Sequence, residues 1–230
     1  MGTVSSEPVV EDMAQYLAPT SFFDYKSEHI QSIIKDLKLE GLTEKETAVK
    51  LFYYVRDSIR YSIRPIGLEP EIYTASHIST QDATFCIPKS ILLGTLARGV
   101  GIPSRLHLVD FANHRLAPEL MKMWGSNIMA AHCYIELYID GAWRKATPAL
   151  DKKTCEKHGF IPVEFDGIHD GLLKPVDING HPHAEYVKDH GTFNDMSIEF
   201  VKQVWDELYG YSEGKTQSMS KVDIDKVTFK

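Results

Sequence analysis

From Asp82 to Arg105 the chain reads DATFCIPKSILLGTLARGVGIPSR, and its apolar residues (Ile87, Ile91, Leu92, Leu93, Leu96, Ala97 and Val100) fall on nearly every side of a helical projection. A helix with no polar face has to be enclosed by other elements, so this stretch predicts a central buried helix around which the rest is organised. Proline is tolerated only in the first helical turn, so the helix must begin within about three residues before Pro88. Cys86 then stands at its N-terminus. There, free backbone N–H groups and the positive end of the macrodipole favour an anion and should pull the thiol towards thiolate. The position suits a nucleophile; the plainer reading is an inert core cysteine. Thr84 or Asp82 is expected to cap this helix and Gly99 or Gly101 to end it. Ile102-Pro103 should then turn the chain into a strand over Ser104–Phe111.

The chain has 230 residues, 43% of them hydrophobic and 25% charged, which allows a sizeable core and favours one domain with insertions over two. A net charge of -7 and the lack of any basic cluster disfavour nucleic acid and anionic membrane as partners. No apolar run approaches about 18 residues and no charged-then-apolar leader opens the chain, so neither a membrane span nor a signal peptide is expected. A cytoplasmic location follows as an expectation. Cys86, Cys133 and Cys155 fit no disulfide framework and no zinc spacing, which suits a reducing compartment. MGTVSS matches the N-myristoylation pattern at Gly2 and Ser6, a short pattern that often recurs by chance.

Taken in order, residues 1–23 read as an N-terminal arm with at most a short helix over Glu11–Leu17. Tyr25–Leu39 carries one apolar helical stripe (Ile30, Ile33, Ile34, Leu37). Thr43 with Glu46 forms a capping box for a second helix running towards Tyr61. Ser62–Gln81 is a connecting loop, and Glu119–Trp124 a short helix. Met129–Ile139 alternates as a half-buried strand, with Cys133, Ile135, Leu137 and Ile139 on one face and His132, Tyr134, Glu136 and Tyr138 on the other. Asp140-Gly141 marks a hairpin to a partner strand over Ala142–Pro148. Asp151–His158 is a short helix. Residues 159–195 form a loop-rich insertion of the kind that walls a cleft. Ser197–Tyr209 closes the domain as an amphipathic helix, and a polar tail occupies 211–230. The loop histidines allow a metal reading, with His181 and His183 joined by Cys155 or His158, against the plainer one of solvated side chains.

Thiol catalysis needs a thiolate, an imidazole within reach to exchange its proton, and a third group to orient that imidazole. Two blocks, FCIPKSILLGTLARGVGIPSRL and AHCYIELYIDGAWRKATPALD, resemble in order and at many positions the core of the transglutaminase-like superfamily. The resemblance spans about Thr43 to Asp151. It implies an α+β fold, a transglutaminase-like core related to papain-like cysteine proteases, with the central cysteine-bearing helix packed against an antiparallel sheet. Within residues 24–210 it implies Cys86 as nucleophile, His132 as base and the Cys86 N–H as an oxyanion donor.

One departure stands out: the family's Asp-Pro-Thr reads Thr147-Pro148-Ala149 here, so a threonine occupies the place of the orienting aspartate. Asp151 is the nearest carboxylate and is favoured slightly over Thr147, with a bare dyad as the third option; as plain structure, Asp151 is a helix N-cap. Gln81 is a candidate second oxyanion donor, or a surface residue. Arg98 reads as a helix-surface or C-terminal charge and Arg105 as a strand or cleft-rim ion pair. The resemblance implies a thiol hydrolase or acyltransferase that needs no cofactor and acts on a protein, a peptide or a small amide, with hydrolysis favoured over transamidation. The alternatives are a catalytically silent protein-binding module and a metal-dependent hydrolase using the histidine-rich loop.

Overall fold

The computed structural model describes residues 12–63 and 67–210. Gly2, Ser6 and Glu11 and the polar stretch from 211 onward lie outside the described residues. The expected helix of the arm is a single 3-10 turn, Met13–Tyr16. Then come α1 (Glu28–Asp36) and α2 (Glu44–Ser58). The capping box at the head of α2 is complete. The Thr43 hydroxyl accepts the Glu46 N–H at 3.2 Å, and the Glu46 carboxylate accepts the Thr43 N–H at 2.8 Å.

Past α2, β1 (Arg60–Tyr61) pairs in parallel with β2 (Ala83–Thr84), and the connection between them holds a 3-10 turn (Pro70–Tyr73) and α3 (Ala75–Ile78). α4 (Cys86–Gly99) follows directly and is buried from Cys86 to Arg98. It starts two residues before its proline, as the proline rule requires, but neither expected cap forms: Phe85 is the N-cap and makes no side-chain bond. Strand pairing with β1 has taken up Thr84 instead, which leaves the first N–H groups of α4 available to other partners.

Two polar side chains of α4 buried here show how so enclosed a helix is tolerated. The Lys89 ammonium donates to the carbonyls of Arg56 and Ile59, at 2.8 and 2.5 Å, and so closes the C-terminal end of α2. Arg98 is no surface charge, contrary to the sequence reading. Its guanidinium donates to the carbonyls of Ala18, Ser104 and Asn194 and lies 3.8 Å over the Phe23 ring. It ties the arm, the α4–β3 turn and the far end of the chain together.

The remaining elements are β3 (Ser104–Asn113), α5 (Pro118–Trp124), β4 (Ile128–Ile139), β5 (Ala142–Ala146), α6 (Lys152–His158), β6 (Ala184–Phe193) and α7 (Ile198–Tyr209). Four strands form an antiparallel sheet in the order β5-β4-β3-β6. The β4–β5 turn is made by Asp140 and Gly141 with φ of +50° and +81°, the left-handed pair that two-residue hairpins require. α4 packs on β4 and β3 with Cys133, Ile135, Leu137 and Ile139 of β4 fully buried beneath it.

The loop-rich reading of 159–195 needs correcting near its end, where Ala184–Phe193 is the edge strand β6. Its pairing with β3 shifts register between Leu108 and Val109 and again between Asp110 and Phe111, and these bulges hide the alternation that marks a strand. The second face of β4 is covered too: His132 sits among Phe111, Leu150, Phe160 and Leu173, and His132, Tyr134 and Glu136 are buried rather than half-exposed. Among the described residues, no helix is long and apolar enough to cross a membrane.

Candidate active site

Cys86 opens α4, and its thiol is 5% exposed. Burial pushes the thiol up to about 11, against the opposing pull of hydrogen bonds from the backbone N–H groups of Cys133, Ile87 and Cys86 itself. Cys86 thus stands at the helix N-terminus as expected, but its thiol is pushed up and not down. The amides do favour the thiolate, but the loss of water outweighs them. Cys133 belongs to β4 and immediately follows His132, so the thiol lies against the strand backbone next to that residue. Tyr61, Tyr186 and Tyr209 also stand close enough to feel a charge on this sulfur.

The strand is bent to present His132. Ala131, just before it, has φ of +52°, a strained conformation for a residue with a Cβ. Across the strand pair, β3 bulges between Val109 and Phe111, and the carboxylate of Asp110 accepts the Ala131 N–H at 2.8 Å. The same carboxylate lies 2.8 Å from His190 Nε2 of β6. A bulge and an anchored left-handed residue together re-aim a side chain, as bulges beside functional sites do. No sequence signal marks this device. The His132 ring meets the Phe111 ring edge-on at 4.8 Å and lies 6.4 Å from that of Tyr186. Its Nε2 is buried without a partner, and burial lowers its pKa to about 3.

The third-member candidates separate. Asp151 is the N-cap of α6: its carboxylate accepts the Thr154 N–H and hydroxyl and the Tyr61 N–H, at 2.9, 2.6 and 2.7 Å. These bonds, with the nearby Lys89 charge, hold its pKa low despite burial. No hydrogen bond joins Asp151 to His132. Thr147 follows β5 and is fully buried; its hydroxyl makes no hydrogen bond of good geometry and lies towards the Tyr186 hydroxyl. Gln81 spends its amide nitrogen on the His77 carbonyl and the Thr80 hydroxyl, inside its own turn. Arg105 does pair, with Glu136 at 2.7 Å, and stacks at 4.0 Å over Trp143.

The loop histidines have separate fates. His181 is exposed beside Asp177, His169 pairs with Asp166, and His183 is buried against Phe160. Cys155 is buried within α6. Among the described residues, no group of three His, Cys, Asp or Glu side chains could hold a metal ion. All three cysteines are free thiols. A groove of about 370 Å³ runs over the outer sheet face, lined by Tyr134, Lys145, Tyr186, Lys188 and Asp189, and Tyr186 joins it to His132.

A family model described as the transglutaminase-like superfamily matches residues 31–148. No curated protein matches the chain. Among solved structures, a candidate cysteine protease from Cytophaga hutchinsonii superposes with a TM-score of 0.51 at 18% identity, over 85% of this chain and 53% of that one. A candidate protease from Parabacteroides distasonis gives 0.37 at 15% identity, over 77% and 29% of the respective chains. The chain spans about half the length of the Cytophaga protein, and the likeness between them is one of fold.

Proposed function

The chain belongs to the transglutaminase-like superfamily, and from that membership we propose that it is a thiol acyl-transfer enzyme that hydrolyses amide bonds in peptides or proteins. The observation that carries the reading is the seating of the Cys86 thiol, at the open end of a buried helix, on the N–H of the residue following His132. Cys86 is the nucleophile and His132 its base. In the substrate-free site both are neutral. The thiol passes its proton to His132 as the sulfur attacks the amide carbonyl, so that the C–S bond forms; the imidazolium returns the proton to the leaving amine as the C–N bond breaks. Water then attacks the thioester, losing a proton to His132, which hands it to the departing thiolate. The Cys86 N–H is one oxyanion donor.

Hydrolysis fits better than transamidation because so enclosed a thiol admits water more readily than a second large amine. The groove reached through Tyr186 would hold the polypeptide chain of the substrate. Residues 24–210 act as one catalytic domain, and the three free thiols fit a reducing, cytoplasmic setting. A second reading, a protein-binding module with a silent site, is favoured by Thr147 in place of a carboxylate and by the raised Cys86 thiol.

Treatment with p-nitrophenyl acetate separates the two. The enzyme reading predicts an acetyl group on Cys86, released by neutral hydroxylamine and lost in Cys86→Ala and His132→Ala. Ester turnover that is identical in all three proteins, with no acetyl on Cys86, defeats it in favour of the binding module.

A further inference from the structure

A narrow pocket with room for about 10 Å³ adjoins His132, walled also by His183, Tyr61, Asn113, Phe160 and Leu173. That is about the space one water molecule occupies. Two of its walls carry orphaned ring nitrogens, since His132 Nε2 and His183 Nδ1 are both buried without a partner. Buried polar atoms are nearly always satisfied, and two such atoms around one cavity call for a cause.

The polarity of His183 is fixed by its surroundings. It is 2% exposed, its ring stacks at 4.3 Å on Phe160, and it hydrogen-bonds the Lys174 carbonyl. Because Nδ1 makes no hydrogen bond of good geometry, we assign that bond to Nε2–H, and in the neutral ring Nδ1 is then an acceptor. Burial first, then the neighbouring Arg115 and His114, disfavour a second proton on the ring, with Asp177 opposing them.

Building on His132 as the base, we propose that His183 is a positioning residue for it, acting through one water-sized molecule in this cavity. The bridging molecule accepts from His132 Nε2–H and donates to His183 Nδ1, whose ring donates onward to Lys174. The chain of donors runs in one direction only. It holds His132 in the Nε2–H tautomer and leaves Nδ1 as the basic nitrogen for Cys86. Asp151 is committed to α6 and position 147 holds no carboxylate, so this relay takes over the orienting role.

His183→Leu removes the acceptor, whereas His183→Asn keeps an oxygen near the place of Nδ1. Two readouts apply to the full chain: imidazole ¹H–¹⁵N spectra, which report tautomers, and the rate of Cys86 acetylation by p-nitrophenyl acetate. The wild type should show His132 as the Nε2–H tautomer. His183→Leu should mix tautomers and slow acetylation by about tenfold or more, the scale of a misaligned base, and His183→Asn should restore most of the rate. An Nδ1–H tautomer in the wild type, or a leucine variant unchanged in both readouts, overturns the relay. If wild-type Cys86 still acetylates in a His132-dependent way, the proposed function survives that outcome. If wild-type Cys86 does not acetylate at all, the proposed function fails and the tautomer alone decides the relay, a measurement the wild type provides even should the leucine variant not fold.

Discussion

His132 and His183 are 3% and 2% exposed, and burial holds their pKa values near 3 and near 4. Unfolding returns both to the ordinary histidine range near 6.5. Below that value the unfolded chain takes up two protons that the folded chain refuses, so stability is full above pH about 6.5 and falls as the pH drops towards 4. Each histidine is worth up to about 2 kcal/mol at pH 5. The urea midpoint should therefore be clearly lower at pH 5 than at pH 7, and His132→Gln should remove close to half of that drop; an equal midpoint at the two pH values contradicts the buried neutral pair. His107 works against this trend in part, because Glu136 and Asp189 raise its pKa in spite of burial. At this scale the sequence was informative about identity and poor about environment. Pro88 placed Cys86 at the head of its helix. Nothing local could reveal that the folded chain would bury both the thiol and the imidazole, and that burial decides their ionisation.

The helix that carries the thiol is packed most tightly on three sides at Gly94. A Cβ on Gly94 would meet Phe23 Cε1 at 2.6 Å, Ile135 Cδ1 at 2.8 Å and the Ser104 hydroxyl at 3.1 Å, which join α4 to the arm, to β4 and to β3. Gly94→Ala gains helix propensity but overpacks this joint, and the clash should dominate at about 1–3 kcal/mol. Chemical denaturation checks this; a variant as stable as the wild type would mean that α4 does not pack here. Elements governed by local rules were readable: the Thr43–Glu46 box, the Asp140-Gly141 hairpin and the cap of α6 by Asp151. The last of these was the plainer of two readings for Asp151, and its three close bonds are those of a cap. β6 was not readable. Its stretch AEYVKDHGTF carries two register shifts and a glycine with φ of +84°, so neither strict alternation nor a continuous apolar run survives in it. The Asp110 bulge that anchors Ala131 was invisible for the same reason: only the folded pairing of β3 with β4 creates it.

In the whole molecule, stretches far apart in the chain converge on one point. α4 brings the thiol, β4 the imidazole, β1 and β6 the tyrosines 61 and 186, and the segment before β6 brings His183. Arg98 binds the arm and the end of β6 through main-chain carbonyls at its other end, so the scaffold is closed behind the site. This arrangement separates the three buried thiols by chemistry. Burial raises Cys86 to about 11, Cys155 to about 12 and Cys133 further still. The Cys86 thiol takes a backbone hydrogen bond from Cys133, the residue that follows His132. The most direct test is the rate of iodoacetamide labelling at each cysteine near neutral pH, followed by peptide mass spectrometry, in the wild type and in His132→Ala. Cys86 should label much faster than Cys133 and Cys155, because His132 takes up the thiol proton as the sulfur attacks, and should lose that lead in the variant. Equal, slow labelling of all three cysteines in both proteins would contradict the thiol–imidazole site.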